Sequence, residues 1–285
     1  LTASNAGGSD QFGQSVGISG DWAVVGAPTE DTTAANAGSA YIFKRSATGV
    51  WEQYQQIQAS NAGGSDEFGE AVSIDGLTIA VAAPEEDTNA EGSIYIFDFN
   101  GSTWVQTAQL QASNKATGDN LGGGNNTGTA LVLDGNQLIA GAYPRGSTEG
   151  AAYVFRKSGG TWSQEQMIEA SDGAGADGFG WSVSIKGDFA VVGAYGTDTG
   201  GDSAHGSAYF FEKVGGTWTE KNILTHSTLH DNQYYATTVA LTDKYILVGS
   251  KYSDGTLADS EGFVDVYEYR KRRQYTIDYA GLNTN

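Results

Sequence analysis

His226-Ser-Thr-Leu-His230 places two imidazoles four residues apart, the spacing at which one helix face can hold a zinc ion. No helical pattern surrounds the pair and no Glu follows the first His, so the zinc-protease arrangement is missing and a loop surface is the plainer reading. No Gly-x-Ser-x-Gly elbow leads from a strand into a helix. The run Gly122-Gly-Gly-Asn-Asn lacks the Lys and the following helix of a phosphate cradle. No catalytic residue is assigned, and the chain reads as non-enzymatic. What remains is carboxylate chemistry: 34 Asp and Glu stand against 15 Lys and Arg. Such side chains supply the hard oxygen ligands that Ca2+ takes, and pairs of them hydrolyse glycosides, though spacing singles out no pair.

Those residues must be positioned by a scaffold, and composition narrows it. The 285 residues include 41 Gly, 3 Pro and no Cys, with 21 Trp and Tyr in all. Abundant turn formers and aromatics with few strong helix formers point to an all-β protein. The absence of Cys excludes disulfides and thiolate metal sites. A formal net charge of −19 disfavours nucleic acid and anionic membrane as partners, because like charges repel at long range. It leaves cations, basic protein patches and neutral ligands such as glycans. No apolar run approaches the roughly 20 residues of a membrane-spanning helix, so no transmembrane segment is expected, and no signal peptide is read in the sequence.

Internal repetition decides the fold class. Leu1-Thr-Ala-Ser-Asn returns at Ile57, Leu110 and Ile168, and in worn form at Leu224, every 53–58 residues. Five units result, approximately 1–56, 57–109, 110–167, 168–223 and 224–281, forming a single domain over 1–285. Each carries four strand signals. In the first, an alternating segment through Val16 and Ile18 leads by a Ser-Gly-Asp turn into Trp22–Pro28. Gly38–Phe43 and a strand from Trp51 towards Ile57 follow. The fifth unit ends on a strand at Tyr275–Tyr279. Four antiparallel strands per unit, without helices, predict a β-propeller of five four-stranded blades. Small residues are expected on inner strands, where blades crowd, and Trp, Tyr and Phe on outer ones.

Phe12-Gly13 with Gly26-Ala27-Pro28, Phe68-Gly69 with Ala82-Ala83-Pro84, and Phe179-Gly180 with Gly193-Ala194 resemble the FG-GAP repeats of integrin α-subunit heads. Registered on Gly141-Ala142, the third unit offers Thr127-Gly128 for Phe-Gly, and the fifth offers Tyr235-Ala236. The resemblance implies a propeller and an extracellular or cell-surface role in adhesion or ligand capture. Family propellers commonly have seven blades, so the chain is either a closed five-bladed ring, the favoured reading, or a segment of a longer array. The family's calcium sites resemble a D-x-D/N-x-D-G loop in the first hairpin. Here that hairpin is too short to wrap an ion, and the motif occurs nowhere in the chain.

Strand order sends the long second-to-third loops and the unit connections to one face, which becomes acidic. Ligand-face candidates there are Glu30, Glu85, Glu86, Asp10, Asp66 and Asp177. If a cation binds, Asp31, Asp87, Asp198, Asp202, Asp254 and Asp259 are the candidate ligands and Ca2+ the candidate ion. The plainer reading of the face is a solvated surface, and direct recognition of a basic partner is the remaining one. Three functions are carried forward: a binding or adhesion module for a protein or glycan, a structural subunit contacting neighbouring copies in an extracellular assembly, and a polysaccharide-acting enzyme. For the second, Arg270-Lys-Arg-Arg273 is a cationic turn available for contacts.

Overall fold

The computed structural model describes residues 1–123, 130–143, 149–175, 177–197, 204–226, 234–251, 262–269 and 277–279. Among the described residues, twenty strands form five antiparallel sheets of four, each in strict chain order, as the repeat count requires. The inner strands are Val16–Ser19, Val72–Asp75, Leu131–Asp134, Phe179–Lys186 and Tyr235–Leu241. The outer ones are Trp51–Ile57, Trp104–Leu110, Thr161–Ile168, Thr217–Leu224 and Ile277–Tyr279. A π-helical turn, Glu86–Ala90, interrupts the all-β pattern in a long loop. No helix among the described residues is long and apolar enough to cross a membrane.

Each sheet has two apolar faces, because residues alternate along a strand, and neighbouring units cover both. The face turned to the following unit, here called trailing, carries Trp22, Val24, Ala40 and Ile42 in unit 1. It packs on the leading face of unit 2, which brings Phe68, Val72, Ile74, Tyr95, Phe97 and Trp104. The same pairing recurs between units 2 and 3, 3 and 4, and 4 and 5. Outer-strand Trp104, Trp162 and Trp218 are buried where the sheets diverge, as expected. In units 1 to 4 the third and fourth strands slip register at the same place, as between Ile42 and Phe43. Such a bulge increases local twist and fans the outer strand away from its neighbour.

The two halves of the repeat phrase meet across a junction rather than within a unit. Gly69 adopts φ +104°, a conformation strained for any residue with a Cβ, and its carbonyl lies against Gly26 of the preceding unit. A Cβ on Gly26 would collide with that carbonyl. Beside this clasp the Phe68 N–H donates to the Ala37 carbonyl at 3.1 Å, and Gly38 forms a parallel bridge to Phe68.

Two expectations change. In unit 3 the Phe-Gly position is held by Leu121-Gly122, not Thr127-Gly128. Gly122 N donates to Gly141 O at 2.7 Å, as Gly13 N does to Gly26 O at 3.0 Å, and Leu121 N donates to the Glu91 carbonyl. Thr127 and Gly128 lie outside the described residues, in an interval lengthened relative to the other units. Closure of unit 5 onto unit 1 is also not seen among the described residues. The leading face of unit 1 forms a cluster of unit 1 residues alone, including Ala23, Val25, Tyr41 and Phe43. The inner strands of all five units nevertheless line one axial cavity of about 320 Å³.

Candidate functional site: the long-loop face

The connection phrases and the second-to-third loops share one face, and their side chains interlock. In unit 1 the Glu30 carboxylate is buried and accepts from Asn5 Nδ2 at 2.9 Å, Ser39 Oγ at 2.7 Å, Gln58 Nε2 at 3.4 Å and Thr32 Oγ1. Tyr41 donates its hydroxyl to Asn5 Oδ1 at 2.9 Å. Unit 2 repeats the arrangement. Glu86 accepts from Asn61 Nδ2 at 2.8 Å, Ser93 Oγ at 2.5 Å, and the Gln109 and Gln111 amides at 3.2 and 3.5 Å. Tyr95 donates to Asn61 Oδ1 at 2.9 Å. Burial, then the neighbouring carboxylates Glu30 and Glu86, push the Tyr41 and Tyr95 hydroxyls above their usual range, so both stay neutral donors.

Among the described residues, most of the other candidate carboxylates accept from nearby backbone. Asp10, Asp66 and Asp177 each accept a main-chain N–H three residues upstream, from Gly7 and Gly63 at 2.6 Å and Ala174 at 2.8 Å. Asp119 does the same for Ala116 in unit 3. Asp31 accepts the Asn36 N–H at 2.7 Å, and Glu85 accepts from Asn120 Nδ2 at 2.9 Å. Asp198, Asp202, Asp254 and Asp259 lie outside the described residues, as does the side chain of Asp87. Among the described residues no three His, Asp or Glu side chains are placed to hold a metal ion.

His226 contacts Asp265 instead, Nδ1 to Oδ2 at 2.8 Å; His230 and the turn Arg270–Arg273 lie outside the described residues. Asp265 stands where units 1 to 4 have Tyr, on the third strand of unit 5. The lost phenol is replaced from the Phe-Gly position, where Tyr235 donates to Asp265 Oδ2 at 3.0 Å. This rewiring was invisible in sequence, because neither change is informative without the other.

Unit 3 is different. Ala151 replaces the serine of units 1 and 2, Met167 replaces Gln56 and Gln109, and Glu169 replaces Gln58 and Gln111. The position of Glu30 and Glu86 falls to Arg145, outside the described residues. A cavity of about 430 Å³ opens there, lined by Asn114, Asp119, Glu149, Tyr153, Met167 and Glu169, among others. Tyr153 still donates to Asn114 Oδ1 at 3.0 Å, and burial pushes its hydroxyl upward. The sequence signal was the loss of Ser, both Gln and Glu relative to units 1 and 2; unit 4, with Thr197, Ile223 and Thr225 at the Glu and Gln positions, keeps the serine.

A crystal structure of a protein from Lactobacillus plantarum superposes with a TM-score of 0.57 at 11% identity, over 93% of this chain and 69% of that one. At that identity the likeness is one of fold, an all-β, propeller-like arrangement. No curated protein matches the chain. The FG-GAP repeat profile matches three segments, residues 1–43, 51–97 and 162–211, so the chain carries the FG-GAP repeat.

Proposed function

We propose that this chain is an extracellular or cell-surface binding module without catalytic activity, its five sheets arranged as propeller blades, which takes a protein or glycan ligand on the long-loop face. The observation that carries the reading is the cavity in unit 3. It is concave, edged by Asp119, Glu149 and Glu169, and backed by the apolar Met167 and Ala151. Pockets that combine an apolar floor with a few convergent polar groups are where small recognition elements bind. A basic side chain or a sugar hydroxyl suits these acceptors. The occurrence of FG-GAP repeats in adhesion and surface proteins supports the setting. The shared axial cavity supports the blade arrangement, and the cluster on the first face of unit 1, which among the described residues holds none from unit 5, supports an arc over a closed five-membered ring.

The test is a screen of the chain against a glycan array and a panel of lysine- and arginine-containing peptides, repeated with Glu149→Gln/Glu169→Gln. A hit weakened at least tenfold by the double variant is expected. Binding that survives the double variant unchanged, or no hit at all, sinks the assignment to this cavity.

A further inference from the structure

Four aromatic side chains gather on the long-loop face where units 3, 4 and 5 meet. Tyr143 and Tyr195 directly follow the second strands of units 3 and 4, Gln137–Ala142 and Phe189–Ala194. Trp181 lies near the start of the first strand of unit 4, Phe179–Lys186, and Tyr234 directly precedes that of unit 5, Tyr235–Leu241. Ring centroids are 5.3 Å apart for Tyr143 and Trp181, 4.4 Å for Trp181 and Tyr195, and 5.9 Å for Tyr195 and Tyr234. The Tyr143 and Tyr195 hydroxyls are hydrogen-bonded at 2.9 Å. All four residues are half-buried.

The scaffold does not require these rings. At the positions of Tyr143 and Tyr195, units 1 and 2 have Pro28 and Pro84, and at that of Trp181 they have Gln14 and Glu70. Their sheets stack nonetheless. The residue before the Phe-Gly position is left-handed in every unit: Gln11, Glu67 and Asn120 have φ +54°, +56° and +49°. Units 4 and 5 each change it in favour of the cluster. In unit 4 it is Gly178, where a Cβ would meet the Tyr195 ring at 2.7 Å and the Tyr143 ring at 3.2 Å. In unit 5 it is Tyr234 at φ +51°, a strained choice for a bulky side chain where Asn is favoured.

We infer that Tyr143, Trp181, Tyr195 and Tyr234 form a stacking platform for a sugar ring, a site distinct from the carboxylates of the unit 3 cavity. A pyranose presents a face of C–H groups that packs on aromatic rings and a rim of hydroxyls that needs donors and acceptors. The cluster sets ring surface beside phenol oxygens, and each phenol both donates and accepts. Burial, then the Tyr143 hydrogen bond and the nearby Tyr234, push the Tyr195 hydroxyl above its ordinary range, so it stays neutral. A cationic side chain is the poorer fit. A cage for a cation turns ring faces towards an open centre, whereas these rings pack on one another at interplanar angles of 37–75°.

The experiment titrates the chain with cello-, chito-, xylo- and mannohexaose, followed by tryptophan fluorescence and calorimetry. At least one hexasaccharide is expected to bind and shift the emission. The variants copy residues that other units carry at the same positions: Trp181→Gln copies Gln14, and Tyr234→Asn copies Asn120. Each should weaken binding about tenfold, and Trp181→Gln should also remove the emission shift. Tyr234→Asn should leave the urea midpoint unchanged or raise it, because it relieves the backbone. Glu149→Gln/Glu169→Gln should hold affinity within about threefold, so platform and cavity can fail separately. Binding of none of the four sugars overturns the inference, as does affinity that survives both aromatic variants. A lower urea midpoint for Tyr234→Asn would make that ring a packing element and sink the platform. Loss of sugar binding in the carboxylate variant alone would assign the sugar to the cavity, and a lysine peptide bound in place of any sugar would reverse the choice of ligand.

Discussion

Units 2 and 3 occupy the same position under the long-loop face in opposite ways. In unit 2, Glu86 gathers four side-chain donors into a plug. In unit 3 the corresponding space is a cavity of about 430 Å³. The strands that frame the two are laid out alike, with Ile94 opposite Leu110 and Ala152 opposite Ile168. Scaffold and site are therefore separable: stacked apolar faces fix where the position lies, and a few polar substitutions decide what fills it.

The sharpest way to break this comparison is Glu86→Ala. It removes the acceptor shared by Asn61, Ser93, Gln109 and Gln111, of which the two Gln amides keep Ser93 Oγ, and should cost about 2–4 kcal/mol in urea unfolding. Glu169→Ala, in the open cavity of unit 3, should stay within about 0.5–1 kcal/mol. Equal costs would mean that the plug contributes nothing beyond filling space. A smaller effect is expected for Ser93→Ala, which copies Ala151 of unit 3 into unit 2. It removes one donor from Glu86 and should cost about 1–2 kcal/mol by the same assay, and no loss would show that the remaining donors suffice.

The smallest effect lies between the two units. Asp98 of unit 2 pairs with Lys157 of unit 3 at 2.9 Å. Burial pushes the Asp98 carboxyl up, but hydrogen bonds from Thr78, Lys157 and Thr107 outweigh it and hold the group below its usual range. A depressed folded value means that the stabilisation is present above the ordinary carboxylate range and is lost as pH falls through the folded value. Asp98→Asn should cost about 0.5 kcal/mol at neutral pH, given partial exposure of the pair. It should also flatten the acid side of the stability–pH profile below about pH 4. An unchanged profile would remove Asp98 from the account of how units 2 and 3 adhere.

The scaffold was legible wherever periodicity was intact. Phe68-Gly69 and Phe179-Gly180 announce their junctions because both an aromatic and a glycine are needed there. Leu121-Gly122 escaped because Leu replaces the aromatic and the interval to Gly141 is longer, so fixed spacing pointed to the wrong pair. The carboxylates were harder. Sequence placed Glu30 and Glu86 on the correct face, but the direction a side chain turns depends on its donors. Ser39, Gln58 and Asn5 come from three separate segments of unit 1, and only folding brings them to one carboxylate. The cavity of unit 3 was out of reach for the same reason, being defined by what units 1 and 2 have and it lacks.

The clasp between Gly26 of one unit and Gly69 of the next has a consequence for how such an array can change over evolutionary time. Because each half of the phrase is completed by the neighbouring copy, a duplication or deletion of one whole period recreates the junction it interrupts, and a recombination that retains half a period does not. Copy number is thus free to drift in whole steps, while the content of each long-loop position diverges independently. An array of this kind accumulates new recognition surfaces without renegotiating its core.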